Sequence, residues 1–203
     1  MGRIALWLVI ATVAVRLVVQ AALHAFAQPE RWEYDVIALN LVHGDGYTFE
    51  RHGATYRAMT SSPLYVFLSA AVYWSLGYVP AVMAIVQDLI SAALAGLVIL
   101  FTGRWFDRQA GVIAGALFVV HPGYIIYTTD LHPMLLDALL MTASLVAVVQ
   151  VHQQPSWKRA TLAGLVIGLC SLTRSTVLAF LPIAALWIIW TATVRRRRLS
   201  LRR

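Results

Sequence analysis

Two short stretches of this chain hold residues able to do chemistry. The first, Gln28 to Ser62, carries five of the nine acidic residues: Glu30, Glu33, Asp35, Asp45 and Glu50. The second reads Tyr127-Thr128-Thr129-Asp130-Leu131-His132-Pro133. In the first, Val36, Leu39 and Val42 recur at helical spacing, which predicts a short helix with Asp35 in its first turn. Gly44-Asp45-Gly46-Tyr47 would end that helix. Asp35 there either complements the positive end of the helix or serves as a general base at a membrane surface. Asp130 or Thr129 is placed to cap a helix with Pro133 in its first turn. The alternative role for Asp130 is that of a second carboxylate, facing the first across an outer cavity. Asp130, His132, Glu33 and Asp35 could together hold a divalent metal if the fold gathers them, although no zinc-type ligand spacing is present.

Other charged residues invite the same two-sided reading. Asp137 lies seven residues after Asp130, two helical turns further along one face. Arg16 and Asp88 sit inside apolar runs, where ionisable groups are costly and tend to face the protein interior and pair. Arg57 and Arg174 each offer a planar donor fork for a lipid phosphate, or simply snorkel to the membrane interface. No phosphate-binding glycine loop, GxSxG or CxxC pair is present, and Gly44-x-Gly46 alone marks a turn.

The elements that must position these residues are apolar helices. Of the 203 residues, 60% are hydrophobic and 12% charged, with mean hydropathy +0.73, against about 25% charge in a soluble domain. The chain therefore reads as an all-α integral membrane protein, residues 1–203 forming one membrane domain. Apolar segments fall at 4–27, 63–77, 80–102, 109–128, 133–151, 159–173 and 175–194. Segment 63–77 is short for a span of about 20 residues, and its Tyr65, Tyr73 and Trp74, with Tyr78 just beyond, suit an interface. Treating it as interfacial leaves about six transmembrane helices and a long first outer loop, 28–79, containing interfacial helices.

Charge supports that topology. With both termini cytoplasmic, eleven basic residues lie inside: Arg3, Arg104, Arg108, Lys158, Arg159 and six arginines of the tail 195–203. Four lie outside: Arg31, Arg51, Arg57 and Arg174. A seven-span arrangement with an outside N-terminus also segregates charge, but requires 63–77 to cross. The net charge of +7 is concentrated in the tail after a membrane helix, an orientation signal and anionic-lipid contact rather than a nucleic-acid surface. The N-terminal run is long and interrupted by Arg16, which favours a retained anchor over a cleaved signal peptide. The single cysteine, Cys170, permits no intramolecular disulfide. Gly111 and Gly115, and likewise Gly164 and Gly168, are four apart, the spacing that lets membrane helices approach closely.

Ala38-x-Asn40-Leu41, Gly44-x-Gly46-Tyr47, then Pro63-x-Tyr65 and Leu76-Gly77 resemble the first outer loop of bacterial GT-C glycosyltransferases, in the protein O-mannosyltransferase and aminoarabinose-transferase-like group. The basic loop at 103–108, the His121-Pro122 helix end, the Asp130 loop and Thr173-Arg174 follow in the order of that family's N-terminal module. The resemblance covers about 28–185. It implies transfer of a sugar from a polyprenyl-phosphate donor on the outer face of a bacterial inner membrane. A first-loop acid would act as base, Asp130 would match the second-loop acid, and Arg57 and Arg174 would hold the donor phosphate. Asp35, Glu33 and Glu30 compete for the base role, because the adjacent acids many relatives carry ahead of the Tyr34 equivalent are here Pro29-Glu30-Arg31. Family members continue well past this length, so the resemblance implies a truncated core or one half of an enzyme. A non-catalytic GT-C-derived subunit packed against other membrane proteins is the alternative class, and a transporter a third, without a visible inverted repeat.

Overall fold

The computed structural model describes residues 2–51, 53–58 and 62–200, with side chains described as far as Thr191. The side chains of the arginine tail lie outside the described residues. The described chain is mostly helical and divides into two compact units, Met1–Leu139 and Leu140–Arg203.

In the first unit, α1 (Gly2–Ala22) and α4 (Pro80–Trp105) pack antiparallel, with α5 (Arg108–Val120) against both. Their polarity is inverted relative to a soluble bundle. The residues α1 buries are Ala5, Thr12, Arg16 and Gln20, while Trp7, Ile10 and Val18 face outward. Lipid solvates apolar side chains, so the interior is where polar groups find partners. The three helices approach closely at Gly115, where an added Cβ would lie 2.6 Å from Ile99 Cγ1 and 2.9 Å from Leu8 Cδ1. The spacing that predicts close packing is used there. At Gly164 and Gly168 an added Cβ meets nothing within 4 Å, so that pair makes no helix contact among the described residues.

Among the described residues three helices are long and apolar enough to span a membrane: α1, α4 and α7 (Met134–Gln153). A fourth span results if α5 and α6 (Pro122–Thr129), bent by 46°, count as one. Pro122 has no N–H for the ladder and starts α6, while His121 Nδ1 accepts the Tyr124 N–H at 3.4 Å as its N-cap. Two shorter apolar helices, Pro63–Leu76 and Ser175–Thr191, accompany these spans, and α8 (Trp157–Ser171) completes the helical set.

The segment between α1 and α4 is mixed. A two-residue strand β1 (Glu30–Arg31) leads into α2 (Glu33–His43), the helix expected around Asp35. Gly44 ends α2 at φ 91°, a left-handed conformation that glycine adopts without cost, donating its N–H toward Asn40 and Leu41. A β-hairpin follows, β2 (Thr48–Arg51) with β3 (Ala54–Arg57), an element the sequence reading did not include. Its Phe49 and Tyr56 sit opposite each other, rings 5.9 Å apart. Helix α3 (Pro63–Leu76) then packs on α2 around Ile37, Ala38, Tyr65 and Val66. Since α4 starts beside the end of α1 and runs antiparallel to it, α3 returns the chain to the end it left and does not cross. Its tyrosines differ from the interfacial expectation: Tyr65 and Tyr73 are buried, and Trp74 faces outward.

In the second unit, the later part of α7 joins α8, a 3-10 turn (Ser175–Ala179) and α9 (Phe180–Ser200) around Val148, Ile167, Cys170, Val177 and Ala184. His152 Nδ1 lies 3.1 Å from Thr191 Oγ1, and its ring is 4.4 Å from that of Trp187.

Candidate active site

The two acid-bearing stretches meet at one end of the first unit. Strand β1 pairs in parallel with β4 (Asp130–Leu131), Glu30 in register with Asp130 and Arg31 with Leu131. Residues in register on neighbouring strands lie about 4.8 Å apart, and alternate residues along a strand share a face. Glu30 and Asp130 therefore share one face of the ladder, and Arg31 and Leu131 the other. Just beyond, Trp32 lies against His132, ring centroids 5.1 Å apart, with Tyr34 and Tyr127 at 5.5 and 5.0 Å from the same imidazole. Glu30 is exposed and Asp130 buried.

Two glutamines and a tyrosine hold this turn in place. Gln87 of α4 donates to the Asp130 carbonyl at 2.7 Å, while its Oε1 accepts from the Tyr65 hydroxyl at 2.7 Å and the His132 N–H at 3.2 Å. Gln20 of α1 donates to the Thr128 carbonyl at 3.0 Å and to Asp88 Oδ1 at 2.9 Å. The Asp130 carboxylate accepts from the Thr129 hydroxyl at 3.1 Å. It does not cap α7; His132 does, its Nδ1 accepting the Met134 N–H at 3.2 Å. Nor do Arg16 and Asp88 form a direct ion pair. The Arg16 guanidinium donates to the Thr12 carbonyl at 3.0 Å and lies over the Phe118 ring at 5.1 Å.

Asp35 occupies a different setting. Its residue is 1% exposed, and its carboxylate accepts from Arg31 Nε at 2.6 Å, Tyr73 Oη at 2.5 Å and Tyr78 Oη at 3.1 Å. The clamp ties the first turn of α2 to the end of α3. Burial, joined by the Asp35 charge, pushes the Tyr78 phenol up to about 12 and the Tyr73 phenol further, so both remain neutral donors. Burial lowers the Arg31 guanidinium, but the Asp35 hydrogen bond and charge outweigh it and hold that pKa above its usual value.

Glu33 is exposed at the start of α2, in the wall of a cavity of about 320 Å³ with Arg31, Trp32 and Glu50. Arg57 is exposed at the end of β3, lining a cavity of about 440 Å³ with Asp45, Gly46, Tyr47 and Thr48. Arg174 is exposed at the start of the 3-10 turn, in the second unit. Asp137 is buried in the first turn of α7. Among the described residues no three His, Cys, Asp or Glu side chains gather as a metal ion would require. The donor set anticipated from His132, Asp130, Glu33 and Asp35 is thus not assembled.

Reasoning from sequence missed Gln87, Gln20, Tyr73 and Tyr78 as positioning groups. The signal for the glutamines was available: an amide inside an apolar run is costly unless bonded, and Gln87-Asp88 sits in such a run.

These features define a multi-pass helical membrane protein whose acidic loops converge at one end of its bundle. The family model of dolichyl-phosphate-mannose-protein mannosyltransferases matches residues 55–202, and the chain belongs to that family. The match includes Arg57, Asp130 and Arg174; Glu30, Glu33 and Asp35 precede it. No curated protein and no solved structure matches the chain.

Proposed function

We propose that the chain is the acid-bearing module of a glycosyltransferase that uses a polyprenyl-phosphate-linked mannose as donor. The observation that carries this reading is the register of Glu30 with Asp130, which brings an acid from each loop to one face of one short ladder. An acceptor hydroxyl needs a base within hydrogen-bond reach as it attacks. In this reading one carboxylate of the pair removes the hydroxyl proton as oxygen bonds to the anomeric carbon. The bond from that carbon to the lipid phosphate breaks with inversion, and the phosphate leaves as an anion. Arg57 is the candidate in the same unit to meet that phosphate.

Glu33 and Asp35 remain competitors for the base, but Asp35 is committed to three donors and shielded from solvent. Its part is to hold α2 and Arg31 so that β1 keeps its register. The whole chain is taken as one membrane domain in a bacterial inner membrane, both termini cytoplasmic, the Glu30–Asp130 end facing out; the charge distribution supports this orientation. The test is mannosyl transfer from polyprenyl-phosphate mannose in membranes bearing the wild type, Glu30→Gln or Asp130→Asn. Either substitution should abolish transfer at unchanged expression. A wild type that transfers nothing but co-purifies with a membrane partner would favour the non-catalytic subunit.

A further inference from the structure

The bundle holds a second polar site, away from the acids, at the interface of α1 and α4. Contacts between these helices run antiparallel: Gln20 with Asp88, and the Gly96 and Ile99 region with Val9 and Leu8. The same register sets Arg16, one turn before Gln20, opposite Ser91, one turn after Asp88. All four side chains are at most 1% exposed. Their one mutual hydrogen bond is Gln20 to Asp88 Oδ1, at 2.9 Å. Arg16 Nε and Nη2, Gln20 Oε1, Asp88 Oδ2 and Ser91 Oγ have no protein partner among the described residues. The Phe118 ring stacks on the guanidinium at 5.1 Å and closes one side.

The chemistry of these atoms selects their ligand. Two are obligate donors on a cation, two are obligate acceptors, and the serine hydroxyl is either. A metal cation would be repelled by Arg16, and an anion by Asp88. Water donates to Asp88 Oδ2 and Gln20 Oε1 and accepts from Arg16. We propose that this interface is a hydration site inside the membrane, where ordered water joins Arg16 to Asp88 and Gln20. A buried water makes about three hydrogen bonds, so roughly two waters satisfy the five atoms. Arg16 and Asp88 are then an ion pair bridged by water rather than a direct one. The site has a consequence for the outer end: Gln20, fixed from below, presents its amide to the Thr128 carbonyl, two residues before Asp130.

The experiment is X-ray hydroxyl-radical footprinting of the full chain in lipid nanodiscs, where radicals form from water at the site and label the nearest ring. Phe118 is 6% exposed, packed against Leu94 and Ala95 on one side and stacked on the half-buried Tyr124 ring at 4.9 Å, whose own oxidation serves as the reference for water reaching the ring from the helix end. The expected result is oxidation of Phe118, falling several-fold in the double variant Arg16→Met, Asp88→Leu, whose apolar side chains remove the donors and acceptors. An unlabelled Phe118 in the wild type overturns the proposal, and is the result a dry, direct Arg16–Asp88 ion pair would give. An unlabelled wild-type Phe118 overturns the proposal even if the double variant does not fold. Labelling that persists undiminished in a folded double variant also overturns it, since water would then be present for another reason.

Discussion

Replacing Tyr73 by Phe removes one hydroxyl from the clamp on Asp35 and nothing else. That hydroxyl donates to Asp35 Oδ1 at 2.5 Å, in a site where the carboxylate has no solvent exposure. Hydrogen bonds to charged groups contribute about 1.5–3 kcal/mol, and a buried acceptor that loses its donor regains nothing from water. Tyr73→Phe should therefore cost about 1.5–3 kcal/mol. At roughly 2–4 °C per kcal/mol for a chain of this size, thermal unfolding in nanodiscs should begin about 3–12 °C lower. Pairing the substitution with Asp35→Asn tests the cause. In the double variant the carboxylate is gone, so the added cost of losing the hydroxyl should shrink by at least about 1 kcal/mol. A Tyr73→Phe protein that unfolds at the wild-type temperature would refute the clamp. So would a penalty of the same size with and without the carboxylate, because the effect would then be one of packing.

A pH titration and three further substitutions probe the frame. Raised folded pKa values for Tyr78 and Tyr73 mean that their stabilisation is fully present below pH about 10, the free phenol value, and is lost as pH rises through the folded values. Tyr78 ionises at about 12, so tyrosinate absorbance and α2–α3 unfolding should rise together above pH 10. Gly115→Ala, with its Cβ 2.6 Å from Ile99 Cγ1, should destabilise by about 1–3 kcal/mol, whereas Gly164→Ala, facing open space, should be neutral or stabilising; thermal unfolding of the pair side by side checks both. Gln87→Leu takes the acceptor from the Tyr65 hydroxyl and one partner each from the His132 N–H and the Asp130 carbonyl, which keep their mutual hydrogen bond at 3.0 Å, for a loss of about 1–3 kcal/mol. Hydrogen exchange at His132 should accelerate in that variant, and unchanged protection there would count against the glutamine as the holder of the turn.

Legibility from sequence followed the range of the forces involved. Helix α2 could be read because its signals are local: Val36 and Leu39 at helical spacing, acids in the first turn, Gly44 at the end. Helices α1, α4 and α7 could be read because lipid imposes a long apolar run whatever packs beside it. The β-hairpin carried a local signal too, in Phe49, Gly53 and Tyr56, but strands of four residues are too short for a clear period-2 pattern. What the sequence hid was non-local. Glu30 and Asp130 are a hundred positions apart, and a two-residue ladder leaves no periodicity. Asp35 was equally hard to judge, since a carboxylate at a helix start looks the same whether it faces solvent or three donors. The tyrosines that decide the matter, Tyr73 and Tyr78, read as interface residues until α3 is folded back on α2. Arg16 and Asp88 were visible as buried charges, but their register depended on the antiparallel contact of two helices.

The central claim, that Glu30 and Asp130 work as one unit, is tested most directly by a double-mutant cycle on transfer rate. Mannosyl transfer from polyprenyl-phosphate mannose is measured for the wild type, Glu30→Gln, Asp130→Asn and the double variant, at matched membrane expression. Groups that act as a unit give non-additive losses. Each single variant should lose nearly all transfer, and the double variant little more than either. A single variant that keeps the wild-type rate, or losses that multiply independently, would contradict the pairing.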